Sequence, residues 1–484
     1  VFGSGLVNGG SKNGRRVIIY GADARGEMLL RSLTSTHDSG FYHVVGFADD
    51  RRKCRGVIIH GVSHLGGSGK MEELIRQYDV SEVMIASDPG KEVVGRIFEA
   101  CRKLEIPCRV IPPYIDVVHQ RFGISQLKDI DIEDLLRRDT VKIDYGELSG
   151  MINGRRVLVT GAAGSIGRQL CLQLLEFSPS ELICVDMGEN ALFYLQQEIR
   201  GAGNSLPCFF YCGSVTNRAR MDSIFSRHRP EIIFHAAAHK HVPLMEGNVE
   251  EVIMNNIGGT KNVADMADRY DAKSFVFIST DKAVKPGNIM GWTKRVGELY
   301  TQSLSGRSST KFLSVRFGNV LNSQGSVVPI FRRQIERGGP VQVTHPDATR
   351  YFMTIPEAVL LILQSACLGG QGDLMILDMG EPVKITDLAE LMVRMAGYTP
   401  GKEIEIGFTG LRPGEKLHEE LVSDGEEMDK TSHPKINAVR NKALNGQSVA
   451  ELVDDVLIEC HRDADKAYAM MRDRLGCLDL RIEV

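Results

Sequence analysis

Thr280, Asp281, Lys282 and Lys294 bring a hydroxyl, a carboxylate and two ammonium groups to one short stretch of the chain. The first three follow directly on an apolar, β-rich run, Ser274 to Ser279, so the sequence places them at the end of a strand. Such a set is suited to proton transfer, provided its surroundings hold the carboxyl and the amines in the required charge states. Met290-x-x-x-Lys294 spans one helical turn, which puts both side chains on one face. A thioether carries no proton, so Met290 can lend only shape and apolar lining.

A second chemical signature precedes it. Arg156-Val157-Leu158-Val159-Thr160 reads as a strand, followed by Gly161-Ala162-Ala163-Gly164-Ser165-Ile166-Gly167 and a helix from Arg168 to Leu175. Three glycines between strand and helix let the backbone turn sharply and approach a pyrophosphate at the helix N-terminus. The next strand, Leu182 to Val185, ends in Asp186, where a carboxylate can grip the adenosine ribose hydroxyls. With no adjacent Arg, a 2′-phosphate would be repelled there, which favours NAD over NADP. The strand 231–235 then runs into Ala236-Ala237-Ala238, small residues beside which the nicotinamide end can lie. His235, His239 and His241 lack a nearby carboxylate at helical spacing, and no metal is expected.

The elements around these motifs alternate strand and helix, so the fold class is α/β: two Rossmann-like, doubly wound parallel-sheet domains, the second with a C-terminal α/β substrate-binding lobe. In the first, strands at 16–20, 44–47, 83–86 and 108–111 alternate with helices, at 70–78 and 91–104 among others. Its turn Gly21-Ala22-Asp23-Ala24-Arg25-Gly26 lacks the full three-glycine spacing, leaving its ligand open between a nucleotide and none. The organisation read from the chain is a tag remnant or flexible lead at 1–14, the first domain at 15–113 and a linker with a short helix at 114–150. A turn at Gly150–Gly154 leads into the catalytic domain at 151–484, with its lobe at about 320–345 and 380–445.

A chain of 484 residues with 43% hydrophobic and 25% charged residues is of ordinary globular type and long enough for two or three domains. A net charge of −4 gives no electrostatic case for a nucleic-acid partner. The ten cysteines are scattered without a C-x-x-C pair, which fits a reducing cytoplasm. No apolar run reaches the roughly 18–20 residues of a membrane helix, although a start at Val1-Phe2-Gly3 without Met reads as a tag remnant or a truncated piece.

Taken together, Thr160-Gly161-x-x-Gly164-x-x-Gly167, Ser279-Thr280-Asp281-Lys282, Met290-x-x-x-Lys294 and Arg316-Phe317-Gly318-Asn319-Val320 resemble the extended short-chain dehydrogenase/reductase superfamily. Lys240-His241-Val242-Pro243, Arg350-Tyr351-Phe352-Met353-Thr354 and Leu411-Arg412-Pro413-Gly414-Glu415-Lys416 narrow the likeness. They resemble the large, membrane-linked, CapD-like UDP-N-acetylglucosamine 4,6-dehydratases of bacterial polysaccharide biosynthesis, in which Met also replaces the superfamily's usual Tyr. Ser214, where an Asp usually holds the adenine amine, departs from the pattern, as do His239 and Trp292.

The resemblance implies 4,6-dehydration of UDP-N-acetylglucosamine with a tightly bound NAD regenerated in each turnover, and it leans to retention at C5. It implies cofactor contacts from Thr160, Gly161, Gly164, Ser165, Ile166, Gly167, Asp186, Ala236, Ala237, Ala238 and Lys294. Lys282 is expected to take the C5 proton, its pKa lowered by burial or by neighbouring cations, Lys294 among them. Asp281 would protonate the departing O6, Thr280 would hydrogen-bond O4, and Met290 would line the site. Lys240, His241, Arg316, Asn319, Arg350, Arg412 and Glu415 are the substrate-binding candidates, with the arginines on the diphosphate. The resemblance further implies N-terminal transmembrane helices lying outside this chain and a place on the cytoplasmic face of the inner membrane; a homo-oligomer stays open. A UDP-sugar 4-epimerase and a non-catalytic NAD or nucleotide-sugar sensor are the alternatives.

Overall fold

The computed structural model describes residues 14–34, 41–54, 56–111, 127–136, 143–203, 205–439 and 446–480. The lead at 1–14, save its last residue, and much of the linker at 114–150 lie outside them. The chain divides into two compact units, Val1–Thr140 and Val141–Val484.

In the first unit a parallel sheet runs in the order Val62–Gly66, Tyr42–Ala48, Arg15–Tyr20, Glu82–Ile85, Cys108–Val110, with a short antiparallel strand at each edge. Its glycine turn is tight: a Cβ on Gly26 would lie 1.8 Å from the Gly21 carbonyl oxygen. Three amides of that turn have side-chain partners within the unit. Arg25 and Gly26 N–H donate to Asp23 Oδ1, and Ala22 N–H donates to Asp49 Oδ2 at 2.8 Å. A carboxylate thus caps the helix Ala24–Thr34, taking donors a phosphate would otherwise use.

The second unit is built on a nine-stranded sheet. Seven parallel strands run in the order Cys208–Cys212, Glu181–Asp186, Arg156–Thr160, Ile232–His235, Ser274–Ile278, Lys311–Arg316, Leu374–Leu377. Ile436–Val439 and Met428–Lys430 extend it antiparallel. Strand alternation sends side chains to two cores. Val157, Val159 and Val276 pack with the helices Ser165–Leu175 and Ile355–Leu368. Leu158, Phe275 and Phe277 pack on the other side with Gly259–Arg269 and Ile289–Leu304. From Arg156–Thr160 the strands are added first on one side and then, starting with Ile232–His235, on the other, and a ligand crevice opens at such a switch point.

One local reading is revised. The expected turn at 150–154 begins later, because Asp144 caps a helix, Tyr145–Ile152, by accepting from Gly146 and Glu147 N–H, while Leu148 and Ile152 bury one turn apart. After the sheet, Gly446–Cys460 and Ala464–Leu480 form two further helices whose Val449, Val453, Val456 and Met471 join the second core. The lobe consists of short strand pairs, Val341–Val343 with Ile406–Phe408 and Thr349–Arg350 with Val383–Lys384, flanked by the helices Val327–Glu336 and Ile385–Met395. Among the described residues no helix is long and apolar enough to cross a membrane.

Candidate active site

The glycine cradle is shaped by close backbone approach. Gly161 has φ +65°, and a Cβ there would stand 2.6 Å from the Ala237 amide nitrogen. One on Gly167 would meet the Gly161 carbonyl oxygen at 2.0 Å. The helix Ser165–Leu175 starts directly behind, its Ser165 Oγ accepting from Gln324 N–H. A cavity at the switch point is lined by Gly161, Gly164, Asp186, Ser214, Ala237 and Asn255 among others. Asp186 both faces it and braces it, accepting from Ala163 N–H at 2.9 Å and Gly188 N–H at 2.8 Å. Ser214 Oγ is engaged with Thr216. This bare floor, with an acid at the end of its second strand, fits an adenine dinucleotide. Gly161→Ala is expected to cost at least about 2 kcal/mol, from the left-handed φ plus the backbone clash, and to abolish dinucleotide binding; chemical denaturation and calorimetric titration would measure both.

Thr160, expected at the cofactor, is instead committed to the interior. It is fully buried, with Oγ1 2.7 Å from His235 Nδ1, while His235 Nε2 lies 3.0 Å from Thr260 Oγ1. Burial, and then the charge of Lys294, push the His235 pKa down to about 3, so this imidazole is neutral. The other two histidines lie apart: His239 pairs with Glu251, and His241 packs its ring on Gly325. Among the described residues no cluster of His, Cys, Asp and Glu could hold a metal.

Beyond the end of Ser274–Ile278, Thr280 caps a short turn, Asp281–Ala283. Asp281 is fully buried; its Oδ1 accepts from Thr280 Oγ1 at 2.8 Å and Lys282 Nζ at 3.0 Å, and its Oδ2 has no partner. Lys282 Nζ also donates to Asn319 Oδ1 at 3.2 Å and stands 3.7 Å from Glu419 Oε1. The expected lowering of the Lys282 pKa is not found. Burial does lower it, but the Asp281 and Glu419 charges outweigh burial and hold the ammonium above the usual lysine range.

Lys294 shows the lowering instead. Its Nζ donates to the Ile278 carbonyl and lies 4.1 Å from the Phe277 ring centre, and burial, opposed only by Glu298, brings its pKa to about 7. The unfolded ammonium titrates near ~10.4, so between those values the unfolded chain binds more protons and stability rises with pH. Replacing Lys294 by Met should remove that rise, on the order of 4 kcal/mol, in denaturation curves compared between pH 7 and 10. Met290 is buried in the apolar core one turn earlier.

The helix that carries them, Ile289–Leu304, is fixed at its start. Asn288 accepts from Gly291 N–H and donates to the Gly414 carbonyl, and Lys416 Nζ donates to the Val284 carbonyl at 2.9 Å. The loop holding Arg412 and Glu415 is thereby tied to the catalytic stretch; Arg412 itself is exposed. Gly291 must lack a side chain, since a Cβ would stand 2.2 Å from the Lys282 carbonyl oxygen. Asn256, in a π-helical turn, bonds both the His239 backbone and Thr293 Oγ1, joining the Ala236–His239 segment to this helix.

Of the substrate candidates, Asn319 and Arg350 join the Asp281–Lys282 cluster. Arg350 donates to the Thr349 and Leu417 carbonyls and lies 3.7 Å from Glu419. Lys240 is close enough for the Lys282 charge, after desolvation, to lower its pKa. Arg316 is a correction: it is fully buried, and its five N–H groups have acceptors on Glu298, Glu426 and the Leu421 carbonyl, leaving no donor for a diphosphate. Sequence reading missed Glu419, Asn288 and Asn256. Glu419 stands three residues beyond the Arg412–Lys416 motif, and only folding shows that it reaches Lys282.

A family described as polysaccharide biosynthesis protein matches residues 157–441. The probable polysaccharide biosynthesis protein EpsC of Bacillus subtilis is 41% identical over 433 residues, 89% of this chain and 72% of its own length. A UDP-N-acetylglucosamine 4,6-dehydratase (inverting) of Campylobacter jejuni is 33% identical, covering 57% of this chain and 80% of that one. A UDP-glucose 4-epimerase of Rickettsia rickettsii is 34% identical, over 58% and 81%. Among solved structures, Pen from Bacillus thuringiensis superposes with a TM-score of 0.55 at 32% identity, over 60% of this chain and 87% of its own.

Proposed function

The chain belongs to the polysaccharide biosynthesis protein family, within the extended short-chain dehydrogenase/reductases, and from that membership we propose that it is a nucleotide-sugar 4,6-dehydratase. The substrate proposed is UDP-N-acetylglucosamine, and the product the UDP-linked 2-acetamido-2,6-dideoxy-4-keto-hexose with its C5 configuration retained. The observation that carries this is the hydrogen-bonded Thr280-Asp281-Lys282 set at a strand end, with Asp281 fully buried, together with a Met290 that cannot move a proton.

NAD is the cofactor the cradle fits; when bound it supplies two-electron exchange with the sugar, oxidising C4 and later reducing C6. Gly161, Gly164 and Gly167 would take its pyrophosphate, Asp186 its adenosine ribose, and Ala236 to Ala238 with Lys294 its nicotinamide end. The protein's own work is then proton traffic. Thr280 takes the O4 proton as it gives its own, through its 2.8 Å hydrogen bond, to Asp281. Asp281 delivers the proton it has gained to O6 as the hydroxyl departs, so one carboxylate serves as base and then as acid. Lys282 removes the C5 proton and, after its ammonium exchanges with solvent, gives one back to C5, which retains C5 when both transfers use one face. Asn319 and Arg350 hold the sugar end of the substrate, while Lys240 and the Arg412–Glu415 loop receive the nucleotide.

Mass spectrometry of the protein incubated with UDP-N-acetylglucosamine in deuterium oxide is the test. The expected product is lighter than substrate by one water and labelled at C5. A 4-epimerase would give an isomer of unchanged mass, and a sensor would give no product; either result would overturn the reading.

A further inference from the structure

Glu419 has a burial the scheme above leaves unexplained. Its side chain is 4% exposed, its Oε2 has no hydrogen-bond partner, and the cations facing it are Lys282 Nζ and Arg350 Nε, each 3.7 Å from Oε1. Burying a carboxylate so poorly bonded costs free energy, and such costs gather where a group changes state. Lys282 poses the matching problem. Asp281 and Glu419 keep it an ammonium, with Asn319 accepting from it and the Lys240 charge nearby, yet a base must be neutral.

We propose that Glu419 is a positioning residue acting through Lys282: it takes one proton from the Lys282 ammonium before C5 is deprotonated and returns it afterwards. This rests on the dehydratase reading. When Asp281 has gained its proton from Thr280 it is neutral, and its hold on Lys282 Nζ weakens. The ammonium then turns from Asp281, at 3.0 Å, toward Glu419, at 3.7 Å. An N–H bond breaks on Lys282 and an O–H bond forms on Glu419. Neutral Lys282 takes the C5 proton; the C5–H electron pair becomes the C5–C6 double bond; the C6–O6 bond breaks, and O6 leaves as water with the Asp281 proton. Once C6 has been reduced, chemistry that NAD would supply, Lys282 gives a proton to C5 and recovers one from Glu419. Every group ends in its starting charge state.

Glu419→Gln and Glu419→Asp, compared with wild type, test this. In Glu419→Gln, solvent deuterium uptake at C5 and loss of water should fall at least a hundredfold at pH 7, with KM and calorimetric affinity for UDP-N-acetylglucosamine within threefold. The residual rate should climb with pH, because solvent alone must now deprotonate Lys282. Glu419→Asp, which keeps the charge but retracts it, should lose about tenfold, and it decides the matter if the Gln variant does not fold by circular dichroism. Wild-type C5 exchange in either variant, or a loss carried by KM with an unchanged pH profile, overturns the proposal while leaving the dehydratase reading intact. A wild-type protein that removes no water overturns both.

Discussion

Replacing Lys282 by Ala should abolish the loss of water from UDP-N-acetylglucosamine, by roughly 10²–10⁴-fold or more, and with it deuterium uptake at C5. Two separate losses would combine in that variant. The base disappears, and the fully buried Asp281 keeps only Thr280 as a donor, since its Oδ2 has none. Stripping a buried ion pair of one partner costs about 3–5 kcal/mol, so inactivity in Lys282→Ala alone would not separate chemistry from collapse. Lys282→Gln and Lys282→Arg do. Gln can still donate to Asp281 Oδ1 but accepts no proton from C5; Arg preserves the positive charge but stays protonated at any working pH. Both should fold, bind substrate within a few fold of wild type and fail to exchange C5. Near-full turnover in either one would eliminate Lys282 as the C5 base.

The parts of this site that could be read from the chain are those whose requirement is local. Gly161 and Gly167 are glycine because backbone atoms two or three ångströms away leave no room for a Cβ, and such a need appears directly as a residue type at a fixed spacing. Two strands of the same sheet were equally legible, since Val157 to Val159 and Phe275 to Ile278 are buried from both faces and must be apolar throughout. What the chain concealed depends on which strands become neighbours. Thr160 ends its strand and opens the glycine motif, where a cofactor contact was expected, but the register Thr160↔His235 across the switch point turns its hydroxyl to an imidazole. Arg316 ends a strand, where a phosphate ligand could stand, but its partners sit on a helix and on a distant loop. Lys282 and Lys294 exchanged their expected electrostatics for the same reason. Spacing puts them near one another, but only the fold brings Asp281 and Glu419 to one ammonium and leaves the other with Glu298 alone opposing burial.

Arg316→Met should destabilise the second unit by about 3–5 kcal/mol in chemical denaturation. Glu298 lies on the catalytic helix one turn beyond Lys294 and accepts from Ser279 Oγ at 2.6 Å, from Arg295 and, bidentately, from Arg316. Glu426, 6% exposed, receives the rest of the guanidinium together with Arg295. Met fills the volume but leaves two buried carboxylates with one arginine between them. The pH dependence identifies the cause. Burial raises the Glu298 pKa, but Arg316, Arg295 and Ser279 outweigh burial and hold it below the usual glutamate value. Its contribution is therefore present above the unfolded pKa of about 4.3 and fades as pH falls through the lower native value. The gap between wild type and variant should accordingly be widest near pH 7 and narrow toward pH 4, where the stranded carboxylates can protonate. Adding Glu426→Gln to Arg316→Met should restore part of the loss at pH 7, since Glu298 then pairs with Arg295 and one buried carboxylate fewer is stranded. Arg316→Lys should restore little, because a point charge with three donors cannot bridge two carboxylates and a carbonyl in one plane. A gap independent of pH would mean that Arg316 acts by packing, and that the Ser279–Glu298 contact beneath the catalytic stretch does not depend on it.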